Sequence, residues 1–411
     1  MAEALPNLAN RDWFQAKAVR TVFEILDADG PPSRIVGGAV RDALAGVPVG
    51  DVDFATPLSP DSVIEQAGKS SLKIVPTGVS HGTVTVVAEG IGFQVTTLRE
   101  DIETDGRHAV VRFGDDWTAD ARRRDFTVNA LSVDATGHVH DPLGGLPDIE
   151  ARLIRFIGDP DQRIAEDHLR LLRFFRFNAT FASGPLDPAG LSAAIRARHS
   201  LRDLSAERIG EEMRRLVLGG RAAEIAGIMQ DAGVLGVVLG GVGYIGPLQR
   251  LAAFAPQSGA ALRLAALGCR VQDDVERLAD RLRLSNAESE RMDSALVNAR
   301  KIAVPMTEHA AKRMLYRCGA DAWRDAVALG FAWAAGGDND EAWQMLLSLP
   351  DRWAVPAFPL TGADVRKLGV ATGPAVGSLL RSIESWWIES DFQPDEDALR
   401  RRLQQMVSVA Q

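Results

Sequence analysis

The sequence predicts an α+β protein: a small α/β head followed by an all-α neck, body and tail. Three observations carry this. From Pro31 to about Thr97 the chain is a series of short β-branched runs broken by Gly and Pro. From about Asp161 to Gln411 it reads almost wholly as amphipathic helices separated by short Gly/Pro/Asp breaks. At 411 residues it also exceeds what one compact core usually reaches, so two or more domains are expected.

Taken in order, residues 11–28 predict an amphipathic helix with Trp13, Val19, Val22, Phe23 and Leu26 as its apolar positions. Strands are expected at 34–36, 51–55, 72–75, 83–87 and 93–97, with a helix at 39–45 between the first two. Residues 99–121 are polar and Gly-containing and predict a mobile loop. After Arg122 the pattern turns helical, apart from a Gly-rich stretch at 137–147 (GHVHDPLGGLP) that reads as a hinge or turn.

The hydrophobic (46%) and charged (25%) fractions are ordinary globular values, which suggest neither disorder nor a fibre. A net charge of −9 argues against a protein that coats nucleic acid non-specifically, because phosphate binding needs local cation density. A local basic groove remains open, and arginine, the better residue for bidentate phosphate and base contacts, heavily outnumbers lysine. Cys269 and Cys318 form neither a disulfide framework nor a metal-spacing motif. The N-terminus lacks a basic region before an apolar stretch, unlike a signal peptide. The longest uncharged run, 232–248, holds six glycines and a proline and suits buried turns better than a membrane span. A soluble cytoplasmic protein with no membrane partner is the expectation.

Two motifs carry chemistry in the head. Ile35-Val36-Gly37-Gly38-Ala39-Val40-Arg41-Asp42 sets a double glycine between a strand and a helix, where backbone N–H groups can approach a phosphate. Alone, such a pair is most often just a tight turn. Asp51-Val52-Asp53-Phe54 is sharper. Residues i and i+2 of a strand face one side, so both carboxylates can point at one locus. They repel unless a cation lies between them, and Mg²⁺ takes one or two protein carboxylates plus substrate phosphates. A solvated loop with both carboxylates exposed is the bland alternative.

Together these strings resemble the nucleotidyltransferase superfamily that includes DNA polymerase beta. The fuller GGAVRDALAGVPVGDVDFAT resembles its class II branch, the tRNA CCA-adding enzymes and bacterial poly(A) polymerases. The resemblance implies that Gly37, Gly38 and Arg41 contact the NTP triphosphate and that Asp51 and Asp53 are catalytic residues and metal ligands. ARRRDFTVNAL, 121–131, resembles the family's ribose-recognition segment, which implicates Arg124 and Asp125, with Asn129 four residues on.

EDHLRLLRFFRF, 166–177, resembles the family's base-recognition helix. There Asp167 and Arg170, three apart, are expected to project as neighbours from one helical face. Cytosine and adenine both offer an exocyclic amine beside an unprotonated ring nitrogen. A carboxylate accepts from the first and a guanidinium donates to the second, whereas guanine and uracil present the reverse pattern. The resemblance makes Arg173 and Arg176 nucleotide contacts too. Arg176, nine residues from Asp167 and so on roughly the opposite side of the helix, could instead support the neck through an internal ion pair.

The resemblance covers about 31–215 and implies a nucleotidyltransferase head at 1–135, a base-recognising neck at 136–215 and a tRNA-binding helical body and tail at 216–411. It implies Mg²⁺-dependent, template-independent addition of C and A to the tRNA 3′ end from CTP and ATP, with release of pyrophosphate. A poly(A) polymerase of the same family is the alternative, and a non-catalytic RNA-binding protein on the same fold a more distant one. The loop at 99–110 is expected to move as specificity passes from C to A. Asp141–Asp148 is expected to be a flexible head–neck connection, Ser205 a helix N-cap with Glu207 or Arg208 an internal tie, and arginines in 277–283 candidates for RNA contact. Gln94 stands where related transferases often carry a third acid, so either two carboxylates suffice or Glu100 or Asp101 helps.

Overall fold

The structure, a computed structural model, describes residues 5–28, 30–70, 72–76, 78–79, 82–104, 109–334 and 340–410. It divides into two compact units, Met1–Gly243 with Asp280–Arg283, and Tyr244–Ala279 with Leu284–Gln411.

The first unit is built on a seven-stranded sheet. Its strands are β1 (Arg34–Val36), β2 (Asp53–Thr56), β3 (Lys73–Val75), β4 (Thr83–Ala88), β5 (Ile91–Thr97), β8 (Ser132–Asp134) and β9 (Val139–His140), in spatial order β3-β4-β5-β2-β1-β8-β9. Only β2 and β5 pair in parallel. The five expected strands are present to within two residues at each end. Residues 132–134 and 139–140 are strands where a helical texture with a turn was expected. Segments of two or three residues have no period to read, and β8 is made by its partner, with Ile35 opposite Val133. Residues 99–121 are also more ordered than a loop: β6 (Arg99–Thr104) and β7 (Ala109–Phe113) form an antiparallel ribbon, followed by the helix Trp117–Arg122. Residues 105–108, part of the segment expected to move, lie outside the described residues.

On one face of the sheet lies the helix Lys17–Leu26, separated from the short helix Asp12–Gln15 by a break at Ala16. The break shifts the buried face, so Phe14 is fully buried and Trp13 only partly. Phe23 meets Phe54 of β2 edge-on at 5.0 Å between ring centroids, and Phe54 meets Phe93 of β5 at 5.9 Å. Each buried ring contributes roughly 1.5–3 kcal/mol relative to exposure.

The head continues into the neck through a second aromatic core. Phe126 packs tilted against Phe156 (4.9 Å) and edge-on to Phe177 (5.4 Å), and Phe156 lies nearly parallel to Phe174 (5.4 Å). The helical pattern over 166–177 is interrupted: one helix, Pro160–Glu166, ends before Asp167 and another, Leu169–Thr180, follows His168. Asp167 itself is extended (φ −152°, ψ 106°). The 137–147 stretch holds β9 and then a turn. Asp141 accepts from the N–H groups of Gly145 and Leu146 (2.8 and 2.9 Å) and so starts the helix Leu146–Glu150. Ser205 holds the N-cap position of the helix Ala206–Val217 without a side-chain cap bond.

The regular elements of the second unit, among its described residues, are all helices. Trp323 is the fully buried centre of one apolar cluster, with Leu315, Val327 and Trp343 around it. A second cluster gathers Val365, Ile383, Trp387, Leu399 and Leu403. Helix starts are set locally: Ser285 with Glu288 and Thr361 with Asp364 form capping boxes. In the first unit, the Gly-rich run supplies the helix Val234–Leu239, buried along one face, between two left-handed glycines. Among the described residues no helix is long and apolar enough to cross a membrane.

Gly145 packs where a Cβ would come within 2.3 Å of the Thr127 carbonyl oxygen. Gly145→Ala is therefore expected to cost about 1–3 kcal/mol, as overpacking does, read as a lowered midpoint in urea unfolding. An unchanged midpoint would show that the turn yields freely.

Candidate active site

The site grows from the register of two strands. β1 runs antiparallel to β2 with Val36 opposite Asp53. Val36 is the last residue before the double glycine, so this pairing sets the Asp53 carboxylate beside the Gly37–Gly38 turn. Gly37 adopts φ +70°, ψ −123°, a conformation that L side chains avoid, and a Cβ there would also lie 3.3 Å from Arg124 Nη1. The helix Gly38–Leu44 then carries Arg41 towards the same place.

Asp51 and Asp53 are not both on a strand, since β2 begins at Asp53, yet they sense each other. Burial, and then the charge of Asp51, push the Asp53 carboxyl up from its ordinary range, while Arg124 pulls it down. This is the conflict expected of two hard oxygen donors facing one point, and a divalent cation would relieve it. The residues present therefore fit a magnesium ion. Among the described residues no group of three or more His, Cys, Asp or Glu side chains could hold a metal. Gln94 is exposed on β5, one step before the Val95 that pairs with Phe54. The side chains of Glu100 and Asp101 lie outside the described residues.

The arginine run is organised by an acid that sequence reading passed over. Asp120, buried on the helix Trp117–Arg122, binds Arg123 (Nε, 2.8 Å) and Arg124 (Nη2, 3.1 Å). Burial would raise its carboxyl, but the two guanidinium groups outweigh burial and hold it below the ordinary range. Its spacing of three and four residues from those arginines was the available signal.

Asp125 and Asn129 are neighbours through a single 3₁₀ turn, Thr127–Asn129, rather than an α-helix. Asn129 donates to Asp125 Oδ1 (3.0 Å) and accepts from Arg41 Nη1 (2.8 Å). Arg173 closes on Asp125 Oδ2 through Nε (2.7 Å) and Nη2 (2.6 Å). Burial would raise the Asp125 carboxyl, and Arg173 with the donors from Asn129 and Phe126 overcomes it, so the group stays ionised below its usual range. Arg176 donates to Glu212 Oε2 (2.5 Å), the internal ion pair that its position on the helix allowed. Glu212, 36 residues away, had no sequence signal.

The expected Asp167/Arg170 pair is arranged differently from a helical i, i+3 pair, because the helix starts only at Leu169. The two residues share a turn in which the Arg170 N–H donates to the Asp167 carbonyl (3.0 Å). Both Asp167 carboxylate oxygens accept from Arg208 Nη2 (2.9 Å each), which makes Arg208 the tie, while Glu207 pairs with Arg283. Arg170 is aimed by Glu166 (2.5 Å) and by the carbonyls of Arg163 (3.0 Å) and Arg123 (3.1 Å).

All eleven residues singled out from the sequence, Gly37, Gly38, Arg41, Asp51, Asp53, Arg124, Asp125, Asp167, Arg170, Arg173 and Arg176, line one cleft of about 630 Å³. Eight arginines against five aspartates line it, so the cleft is cationic although the chain is acidic. Asp42, Arg123, Arg208 and Arg215 join it unforeseen as site residues, and Asp42 holds Arg41 at 2.8 Å. Such a surface can hold a polyphosphate, a sugar and a base in sequence, with a divalent ion at the phosphate end.

Residues 33–155 match the family model described as the poly A polymerase head domain. The human mitochondrial CCA tRNA nucleotidyltransferase 1 is 31% identical over 393 residues, covering 93% of this chain and 89% of the relative. The crystal structure of the Bacillus stearothermophilus CCA-adding enzyme in complex with CTP superposes with a TM-score of 0.79 at 28% identity, over 97% of this chain and 98% of that one. The Thermotoga maritima CCA-adding enzyme complexed with tRNA shares the fold at a TM-score of 0.67 and 18% identity, over 94% of each chain. With a relative matched along nearly the whole of both chains and the head-domain model matched at residues 33–155, the chain belongs to the family of CCA-adding tRNA nucleotidyltransferases and poly(A) polymerases.

Proposed function

We propose that this chain adds C and A nucleotides to the 3′ end of tRNA from CTP and ATP, without a nucleic-acid template and with Mg²⁺ as its metal. The observation that carries the reading is the convergence of acid pair, glycine turn, arginines and Asp167 on one cationic cleft. Cys269 and Cys318 are unpaired, which suits a reducing cytoplasm.

In the reaction the tRNA 3′-hydroxyl oxygen bonds to the α-phosphorus of the NTP. The bond from that phosphorus to the β-phosphate bridging oxygen breaks, the hydroxyl proton passes to solvent, and pyrophosphate leaves. Asp51 and Asp53 would hold the Mg²⁺, which when bound offsets phosphate charge and acidifies the hydroxyl. Gly37, Gly38 and Arg41 receive the triphosphate, with Arg41 already oriented by Asp42 and Asn129. Arg124 and Asp125 hold ribose and phosphate, Arg173 anchors Asp125, and Arg176 with Glu212 supports the wall of the cleft.

Asp167, fixed by Arg208, accepts from the exocyclic amine of cytosine or adenine, and Arg170 donates to the adjacent ring nitrogen. Guanine and uracil would set a carbonyl against Asp167. In this reading residues 1–135 are the catalytic head, 136–215 the base-recognising neck, and 216–411 the body and tail that receive tRNA.

Purified protein given tRNA transcripts lacking CCA and each NTP is expected to complete CCA from CTP and ATP and to use neither GTP nor UTP, as product sequencing will read. Long A tails on arbitrary RNA would instead establish a poly(A) polymerase. Replacing Asp51 and Asp53 by Asn should lower the rate of addition on the order of a hundredfold or more; retained activity would remove both from the metal site. Asp167→Asn gives the reader a donor as well as an acceptor. It should narrow the kcat/KM preference for ATP over GTP by roughly 1–3 kcal/mol, and an unchanged ratio would mean that the base is read elsewhere.

A further inference from the structure

The arginines of the second unit are mostly spent on internal ties. Arg250 donates to the Ala332 carbonyl (2.9 Å), Arg277 to Asp274 (2.5 Å), Arg291 to Asp325 (2.5 Å) and Arg324 to Asp351 (2.6 Å). The 277–283 segment, expected from sequence to meet RNA, is occupied in this way throughout: Arg281 donates to the Val238 carbonyl (3.2 Å) and Arg283 to Glu207 (2.9 Å).

A cleft of about 560 Å³ between the helices Asn286–Ala299 and Glu308–Cys318 differs. Lys301, Arg313 and Arg317, all exposed, line it, and no acidic residue does. Arg313 and Arg317 are four apart, on one face of their helix, a like-charge spacing that destabilises a helix unless an anion lies between. Neither has a carboxylate or carbonyl partner among the described residues. Lys301 touches only the neutral Asn298 side chain (3.2 Å), which also donates weakly to Ser294 (3.4 Å) on the same wall. The nearby acid Glu308 is held by Lys312 (2.8 Å).

We propose that this cleft binds the phosphodiester backbone of RNA, with Lys301, Arg313 and Arg317 on successive phosphates and Ser294 and Asn298 as neutral donors. The proposal rests on the reading that the substrate is tRNA. In a chain of net charge −9, a polyanion docks only where positive charge is gathered and left unspent. Contacts of this kind follow shape and backbone rather than sequence, as suits an enzyme that must accept many RNAs with one common end.

The test measures binding of the full-length protein to a tRNA transcript lacking CCA, across a salt series. Arg313→Gln with Arg317→Gln should reduce the slope of log K on log salt by about 2 and raise Kd roughly tenfold or more near 0.1 M salt. The KM for tRNA should rise with it, while the KM for CTP and the thermal midpoint hold. Lys17→Gln with Lys69→Gln removes the same charge from lysines already paired with Glu89 and Glu65, and should leave the slope in place. An equal fall in slope for that control, or no fall for the arginine pair, would overturn the proposal. So would displacement of RNA from the wild type by micromolar poly-glutamate, which would point to an acidic peptide. If the wild type binds tRNA with the expected slope but adds no C or A, the cleft stands and the catalytic reading fails.

Discussion

A carboxylate taken almost entirely out of water keeps its charge only if cations and donors replace the solvent, and Asp125, 7% exposed at the cleft wall, is such a group. Arg173 reaches it from the neck helix, Asn129 and the Phe126 N–H from its own turn. Through Asn129 the same carboxylate orients Arg41, and through Arg173 it approaches Glu212 and Arg176. One buried acid thus aligns groups from four separate stretches of chain. A half-satisfied network of this kind would cost more than an apolar contact, so its members hold position together. The Phe126–Phe156–Phe174–Phe177 core beneath it excludes water and makes the charged links strong.

The metal end of the cleft rests on backbone rather than on side-chain links. Antiparallel pairing of Val36 with Asp53 is a matter of register, and a slip of one residue would turn the carboxylate to the opposite face of the sheet. Phe54 of β2, fully buried against Phe23 and Phe93, guards against that slip. Phosphate end and base end are therefore held by different physics, hydrogen-bond register on one side and a buried ionic network on the other.

Much of this was legible in the sequence because the decisive features are local. β-Branched runs bounded by Gly and Pro mark the central strands, and the acid pair, the glycine pair and the arginine strings each lie within a dozen residues. What was not legible comes from distance or brevity. Glu212 acts on a residue 36 positions away and no periodicity announces it, while Arg208 was legible as a tie but its partner Asp167, 41 positions away, was not. β8 and β9 are too short for a pattern: β8 exists because β1 offers an edge, and β9 because β8 then offers the next. In the ribbon, β6 (REDIET) is polar, so the hydrophobic signal that reveals strands is missing there, while the short apolar run of β7 (AVVRF) is masked by the polar, Gly-containing stretches around it. The interruption at Asp167 escaped notice because the apolar spacing runs on through 177 as though the helix were whole.

That interruption changes how the cleft can vary. In an unbroken helix every residue is locked at about 100° to the next, so re-aiming one side chain means rotating all the others. Here Asp167 lies outside the rod that carries Arg170, Arg173 and Arg176. Its direction is set by two backbone torsions and by a guanidinium from another helix. A relative with an altered linker at 167–168 would point its carboxylate elsewhere and still keep the arginine ladder in phase, so choice of base and grip on phosphate can diverge independently within one scaffold.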